Sequence, residues 1–174
     1  NVNSKRESPG GHSSSTHGYV TKGYGGSPAV DRNDWERFAF ASDSTITTMN
    51  GLATNTIDSG GSSSSSTHGY HVGGAVTNVI DKYSFASDAN ATDVGDITVG
   101  RQQPAGATDA IAKYGYMQGG QAGSPYSTVI DRFLMTSGGT ATNVGDVTEA
   151  RRSRASSSSL THGYMAGGDT PSPY

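Results

Sequence analysis

Cysteine is absent from the 174 residues, so the fold rests on neither disulfides nor thiolate-bound metal. That suits a particle assembled in the cytoplasm and equally many bacterial surface proteins. No apolar run approaches the ~20 residues that a bilayer-spanning helix needs, which predicts no membrane insertion. Basic residues are few: 12 Lys and Arg against 15 Asp and Glu give a net charge of −3. A nucleic-acid backbone calls for concentrated positive charge, and the only basic cluster is Arg151, Arg152 and Arg154. Nowhere do apolar residues recur at helical spacing over three turns. The phosphate-loop pattern, the nucleophile elbow and the histidine metal motifs are missing too. No secretory leader is visible, and the chain begins with asparagine.

What is present is small, polar and repetitive. There are 25 glycines, 25 serines and 19 threonines, with 32% apolar residues. Such composition can mean disorder, but here aromatic and β-branched residues alternate through it, which disordered chains lack. A Gly-Tyr pair recurs at Gly18-Tyr19, Gly69-Tyr70, Gly115-Tyr116 and Gly163-Tyr164, at steps of 51, 46 and 48 residues. A double glycine follows each, at Gly25-Gly26, Gly73-Gly74, Gly119-Gly120 and Gly167-Gly168. A second module reads apolar, acidic, basic, aromatic: Trp35-Glu36-Arg37-Phe38, Ile80-Asp81-Lys82-Tyr83 and Ile130-Asp131-Arg132-Phe133. A third is Met49-Asn50-Gly51-Leu52, Val94-Gly95-Asp96-Ile97 and Val144-Gly145-Asp146-Val147, with Arg101 and Arg151 closing two units. Arg6 holds that place before the first unit, whereas Thr56 ends it. The chain is therefore one repeat domain, 1–174, with units of about 6–56, 57–101, 102–151 and a partial 152–174. The stop inside a fourth unit predicts a processed product or a piece of a longer chain.

The elements are predicted to be strands throughout. Gly18–Val20 and Trp35–Ala41 serve the first unit, with a glycine-rich insertion from Lys22 to Pro28. Thr67–Val72 and Val76–Phe85 form the second, joined through Gly73-Gly74, a hairpin turn because glycine reaches positive φ at little cost. Asp88–Asp96 reads as a turn-rich loop and Ile97–Gly100 as a short strand. The third unit repeats this with Ala112–Met117, Ser127–Met135 and Asp146–Ala150, and Leu160–Ala166 begins the fourth. The serine runs read as approaches to these strands.

Candidate site residues are all repeat residues, which points to architecture before chemistry. His17, His68 and His162 share one position, and a ring of imidazoles could bind zinc; the third unit breaks that ring with Lys113-Tyr114, so hydrogen-bonded structural histidines are expected. Asp88, Asn90, Asp93 and Asp96 offer the oxygen ligands calcium prefers, without the EF-hand glycine or terminal glutamate; side-chain caps on turns are the expected role. Asp81 and Asp131 neighbour a basic residue in sequence, so on a strand the two point to opposite sides. Their natural partners, and those of Glu36 in the first unit, are the arginines Arg6, Arg101 and Arg151, in an ion pair or hydrogen-bond network between units, with a substrate-binding ring as the alternative role. Asn90-Ala91-Thr92 is a glycosylation triplet, relevant only to secretion by a host that uses it.

A Gly-Tyr strand closing in a double glycine, an apolar-acidic strand ending in an aromatic, and a closing arginine resemble kelch-type β-propeller blades. The usual kelch tryptophan is missing; Phe40, Phe85 and Met135 lie nearest. The run from His68 through Ile80-Asp81-Lys82-Tyr83-Ser84-Phe85-Ala86-Ser87-Asp88 to Gly95-Asp96-Ile97-Thr98 is similar to repeats in virion-associated proteins of aquatic bacteriophages. The resemblance implies an all-β chain of kelch-like repeats, an open or incomplete propeller, since propellers use ~4–8 blades. β-Prism and β-trefoil, both threefold, are the alternative architectures. It also implies a non-enzymatic structural or adhesive protein of a phage virion or extracellular filament, homo-oligomeric and displayed on the virion surface or outside the cell. Expected partners are copies of itself or other structural subunits, and surface glycans, with no cofactor. A carbohydrate-binding module is the alternative function, and a propeller-type enzyme a more remote third.

Overall fold

The computed structural model describes residues 7–21, 23–25, 30–31, 34–42, 46–49, 59–109, 111, 113–123 and 125–171. Arg6, Thr56, Gly26, most of the glycine-rich insertion and part of the first unit's third module lie outside them. Among the described residues every regular element is a strand and none is a helix. The first sheet is β1 (Gly10–Ser13), β2 (His17–Thr21), β5 (Trp35–Ala39) and β6 (Thr47–Thr48), antiparallel in that order. Within this unit the insertion makes its own small ladder, β3 (Tyr24–Gly25) with β4 (Val30–Asp31). The second sheet is β7 (Gly61–Ser64), β8 (His68–Val72), β9 (Val79–Ser84) and β10 (Thr92–Asp96). The third is β11 (Ala105–Thr108), β12 (Tyr114–Gln118), β13 (Val129–Leu134) and β14 (Thr142–Asp146). A pair, β15 (Ala155–Ser158) with β16 (Gly163–Ala166), begins a fourth. Each sheet takes its strands from one sequence unit.

Two elements differ from the sequence reading. The serine- and glycine-rich approaches are strands, the first of every sheet, and they lie side by side, with β7 between β1 and β11, and β11 between β7 and β15. The predicted loop Asp88–Asp96 ends in strand β10, while predicted strand Ile97–Gly100 is a turn; β14 and Asp146–Ala150 repeat the exchange. The reason is that β10 and β14 are outer edges, where polar side chains and a bulge are favoured over apolar alternation. Ile97 instead leaves the ladder, donates its amide to the Asn78 carbonyl at 2.7 Å and plugs the core.

The sheets pack face to face. Tyr19, Trp35 and Met49 of the first meet Tyr83, Phe85 and Ala91 of the second. Tyr70, Val72, Ile80 and Ile97 of the second meet Met117, Phe133, Met135 and Ala141 of the third. Tyr19 stacks on Phe85 with centroids 4.2 Å apart, worth about 0.5–1.5 kcal/mol beyond area burial. In the first three Gly-Tyr pairs the glycine makes room for an aromatic ring of the adjacent strand in its own sheet. A Cβ on Gly115 would lie 2.3 Å from the Phe133 ring, and one on Gly69 2.3 Å from Tyr83. The Gly73-Gly74 turn has φ of 70° and 96°, and its second amide donates to the Arg101 carbonyl at 3.0 Å. With the equivalent Gly120 amide to Arg151 carbonyl bond at 2.9 Å, it ties the second and third hairpins to the residue leaving their own sheets.

Candidate functional site

Arg101 ends the second unit, but its side chain belongs to the third. It is fully buried, with Nη2 2.8 Å from Asp131 Oδ2 and donating to the Met117 carbonyl at 3.0 Å. Thr98 completes the receptor: its hydroxyl donates to Asp131 Oδ1 at 2.7 Å and its amide to Oδ2 at 3.3 Å. Burial pulls the Arg101 guanidinium below its ordinary value, and the Asp131 charge opposes that. Glu36 and Asp81 hold the same strand position as Asp131 and are buried as deeply. The residues in register to serve them, Arg6 and Thr56, lie outside the described residues. The basic neighbour points the other way, as alternation requires: Arg132 lies 4.7 Å over the Tyr114 ring and Lys82 6.0 Å over Tyr70.

The first strands converge on a groove of about 960 Å³ lined by serine, glycine and threonine from all four units, with Tyr19, Phe38 and Phe40 among its walls. Here the units are joined by hydroxyls. The amide of Ser13 donates to Ser64 Oγ at 3.3 Å, that of Ser64 to Thr108 Oγ1 at 3.2 Å, and that of Thr108 to Ser158 Oγ at 3.1 Å. Each rung satisfies an edge amide without a full ladder, which convergence at one centre leaves no room for. Ser63 adds a bond to the Ala107 carbonyl at 2.7 Å. His12 crosses the same joint. Because a carbonyl only accepts, Nδ1 donates to Ser63 O at 3.0 Å, leaving Nε2 to accept from the Thr21 hydroxyl at 3.1 Å. That neutral tautomer fits a pKa lowered by burial to about 4.

The predicted site residues distribute as follows. Gly18, Tyr19, Gly69, Tyr70, Gly115, Tyr116, Gly163 and Tyr164 all lie on second strands. Tyr19 and Tyr70 are buried, and the Tyr70 hydroxyl donates to the Met135 carbonyl at 2.5 Å. Tyr116 is half-buried, and Tyr164 is 54% exposed. Asp131 and Arg101 meet, whereas Arg151 bonds its neighbour Glu149 on the surface. His17, His68 and His162 each pair Nδ1 with the preceding threonine hydroxyl at 2.8 Å. Burial, reinforced by Lys82, lowers the His68 pKa. Of the calcium candidates, Asp93 and Asp96 sit on β10 on either side of a bulge, and Asp93 Oδ1 accepts the Gly95 amide at 3.0 Å. Asp88 and Asn90 are exposed on the preceding turn. Among the described residues no group of three or more acidic, histidine or cysteine side chains gathers as a metal site.

Sequence reading did not single out the hydroxyl rungs or His12. Their signal was present in the register: Ser13, Ser64 and Ser158 each stand five residues before their Gly-Tyr pair, and Thr108 seven before its own. It also gave no sign that Phe38 and Phe40, at 37% and 56% exposure, would stand open where Tyr83 and Phe85 are buried.

The sheets and their joints define an all-β, β-propeller-like protein. Among solved structures, the chain is similar to that titled "Structure of YjhT", with a TM-score of 0.77 and 10% identity. The match takes in 97% of this chain and 64% of that one, so this chain spans under two thirds of YjhT. At that identity the likeness is one of fold. No protein-family model matches the chain, and no curated protein does.

Proposed function

We propose that this chain is a non-enzymatic structural or adhesive protein of kelch-like repeats, an open propeller that assembles head to tail with copies of itself. The setting that fits its repeat pattern is a phage virion surface or an extracellular filament. The observation that carries the reading is the contrast between inner joints and end faces. Tyr19 is sealed against Tyr83 and Phe85 of the next sheet, yet Phe38 and Phe40, in the register of those two aromatics, face solvent on the first sheet. At the far end Tyr164, in the register of Tyr19, is exposed too. One end thus offers the aromatics and the other the tyrosine of the same joint. Complementary, non-identical ends make a heterologous contact, which closes into a ring or runs on as a filament.

Sedimentation velocity on the purified chain tests this. Association that rises with concentration is expected, and Phe40→Ser or Tyr164→Ser returns the chain to monomer. A wild-type chain that stays monomeric at every concentration overturns the reading. Carbohydrate binding is a second reading, favoured by the hydroxyl-lined groove with Phe38 and Phe40 among its walls. Submillimolar binding of a glycan by the isolated chain, lost in Phe38→Ser, would select it.

A further inference from the structure

We propose that the joint between the first and second sheets is an acid switch: protonation of His12 loosens it, while the joint between the second and third sheets stays closed. Both joints are internal, so the switch is independent of the head-to-tail reading.

The two joints use the same register positions with different chemistry. Where the first holds His12, Thr21, His71 and Tyr83, the second holds Ser63, Val72, Met117 and Phe133. Both sets are buried. The bond that crosses between units is repeated as well. His12 Nδ1 donates to the Ser63 carbonyl at 3.0 Å, and Ser63 Oγ donates to the Ala107 carbonyl at 2.7 Å. Ala107 stands where Ser63 does, one unit on. A hydroxyl makes this bond in the second joint, so the geometry does not call for an imidazole in the first. What the imidazole adds is a nitrogen that takes up a proton near neutral pH.

The bonds of the first joint run in one direction. With Nδ1 as donor, His12 Nε2 accepts the Thr21 hydroxyl proton at 3.1 Å. That proton is then spent, so Thr21 Oγ1 accepts from His71 Nδ1 at 3.5 Å. A proton added to His12 Nε2 reverses the middle bond, and the Thr21 hydroxyl must turn to the Gly10 carbonyl, 3.4 Å away. Two imidazoles then donate to one oxygen, and a buried cation lies against the Tyr83 ring, 5.2 Å between centroids. The other titratable or charged groups on these faces are Asp81, across the ladder from His71, with Arg37 and His17 beside Tyr19. No carboxylate among the described residues bonds His12. Burial accordingly lowers its pKa to about 4, and the Ser63 bond offsets this only in part. Opening the joint returns the ring to water and to 6.5, so opening takes up a proton. The His12 contribution to closure is full above pH 6.5 and is lost as pH falls through 4. The titratable pair of the second joint, Arg101 and Asp131, is already matched in charge.

Each joint carries its own reporter. Trp35, the single tryptophan, is fully buried in the first, and the Thr98 amide bonds Asp131 across the second. Hydrogen exchange of the Trp35 indole N–H and the Thr98 amide, followed by NMR on the full chain from pH 7 to pH 5, compares the two. The Trp35 protection factor is expected to fall about 20-fold, the ratio set by pKa values of about 4 closed and 6.5 open, while that of Thr98 holds. His12→Ser installs the residue that the second joint uses, and it should flatten the Trp35 profile. Equal losses at Trp35 and Thr98 mean general unfolding and overturn the inference. Unchanged Trp35 protection, or a fall of the same size in His12→Ser, overturns it too. Should His12→Ser fail to fold, the contrast between the two reporters in the wild-type chain still decides.

Discussion

Arg101 is the residue on which two units depend, and its position sets a clear expectation. Removing one member of a buried ion pair strands the other charge away from water, at a cost of about 3–5 kcal/mol. Arg101→Met and Asp131→Leu should each lower unfolding free energy by that order in urea titrations. The double substitution should recover much of it, because well-packed apolar side chains often replace a buried pair without loss. If both singles prove neutral, the joint is not held this way. His12 gives a second, pH-dependent expectation. Its folded pKa is about 4 against 6.5 when free, so the unfolded chain binds the extra proton first. Its contribution is fully present above pH 6.5 and is lost as pH falls through 4. The difference amounts to about 3 kcal/mol. Denaturation midpoints measured from pH 7 down to pH 4 should fall for this chain and fall less for His12→Gln. An equal slope in the two would remove His12 from the account.

At the scale of elements, the first strands are made of residues with poor strand preference because small side chains are what the centre admits. A Cβ on Gly106 would lie 1.9 Å from the Ser62 carbonyl oxygen of the neighbouring sheet, whereas one on Gly11, in the equivalent position of β1, meets nothing within 4 Å. Gly106→Val is thus expected to cost about 1–3 kcal/mol by overpacking, while Gly11→Val stays close to neutral; equal effects in chemical denaturation would refute the crowding. The same crowding explains what was legible beforehand. Second and third strands carry the Tyr, Ile and Phe alternation that reports a half-buried surface, and the hairpin glycines carry positive φ, so these were readable. Gly61–Ser64 and Ala155–Ser158 carry neither signal, since their strand character comes from neighbours brought by tertiary packing. Thr92–Asp96 was obscured for the opposite reason: an outer edge is allowed to look like a loop. That unit-closing arginines would serve the strand acids followed from register, whereas which acid Arg101 meets, and the rungs from Ser13 to Ser158, needed the packing of neighbouring sheets to become visible.

Across the whole molecule, the physical joints are offset from the repeats in the sequence. Each sheet is local to its unit, but Arg101 and the hydroxyls that cap edge amides serve the adjoining unit. Stability in such an array is a sum of unit terms and neighbour terms, and here the neighbour terms hold charged and aromatic residues. Among the described residues the third sheet is therefore supported on one face by the second sheet and on the other by β15 and β16. One consequence concerns digestion by a protease that cuts after arginine. Arg101 is wholly enclosed, its carbonyl bound by Gly74 and its side chain by Asp131, so the bond after it is shielded although it falls at a sequence boundary. Arg152, a third exposed and pinned to Asp169 through a surface pair, is open to attack. Brief trypsin treatment followed by intact-mass measurement should show early scission in the Arg151–Arg154 stretch, with the bond after Arg101 surviving. Cutting at the two boundaries at similar rates would mean that the units separate as readily as their sequences do.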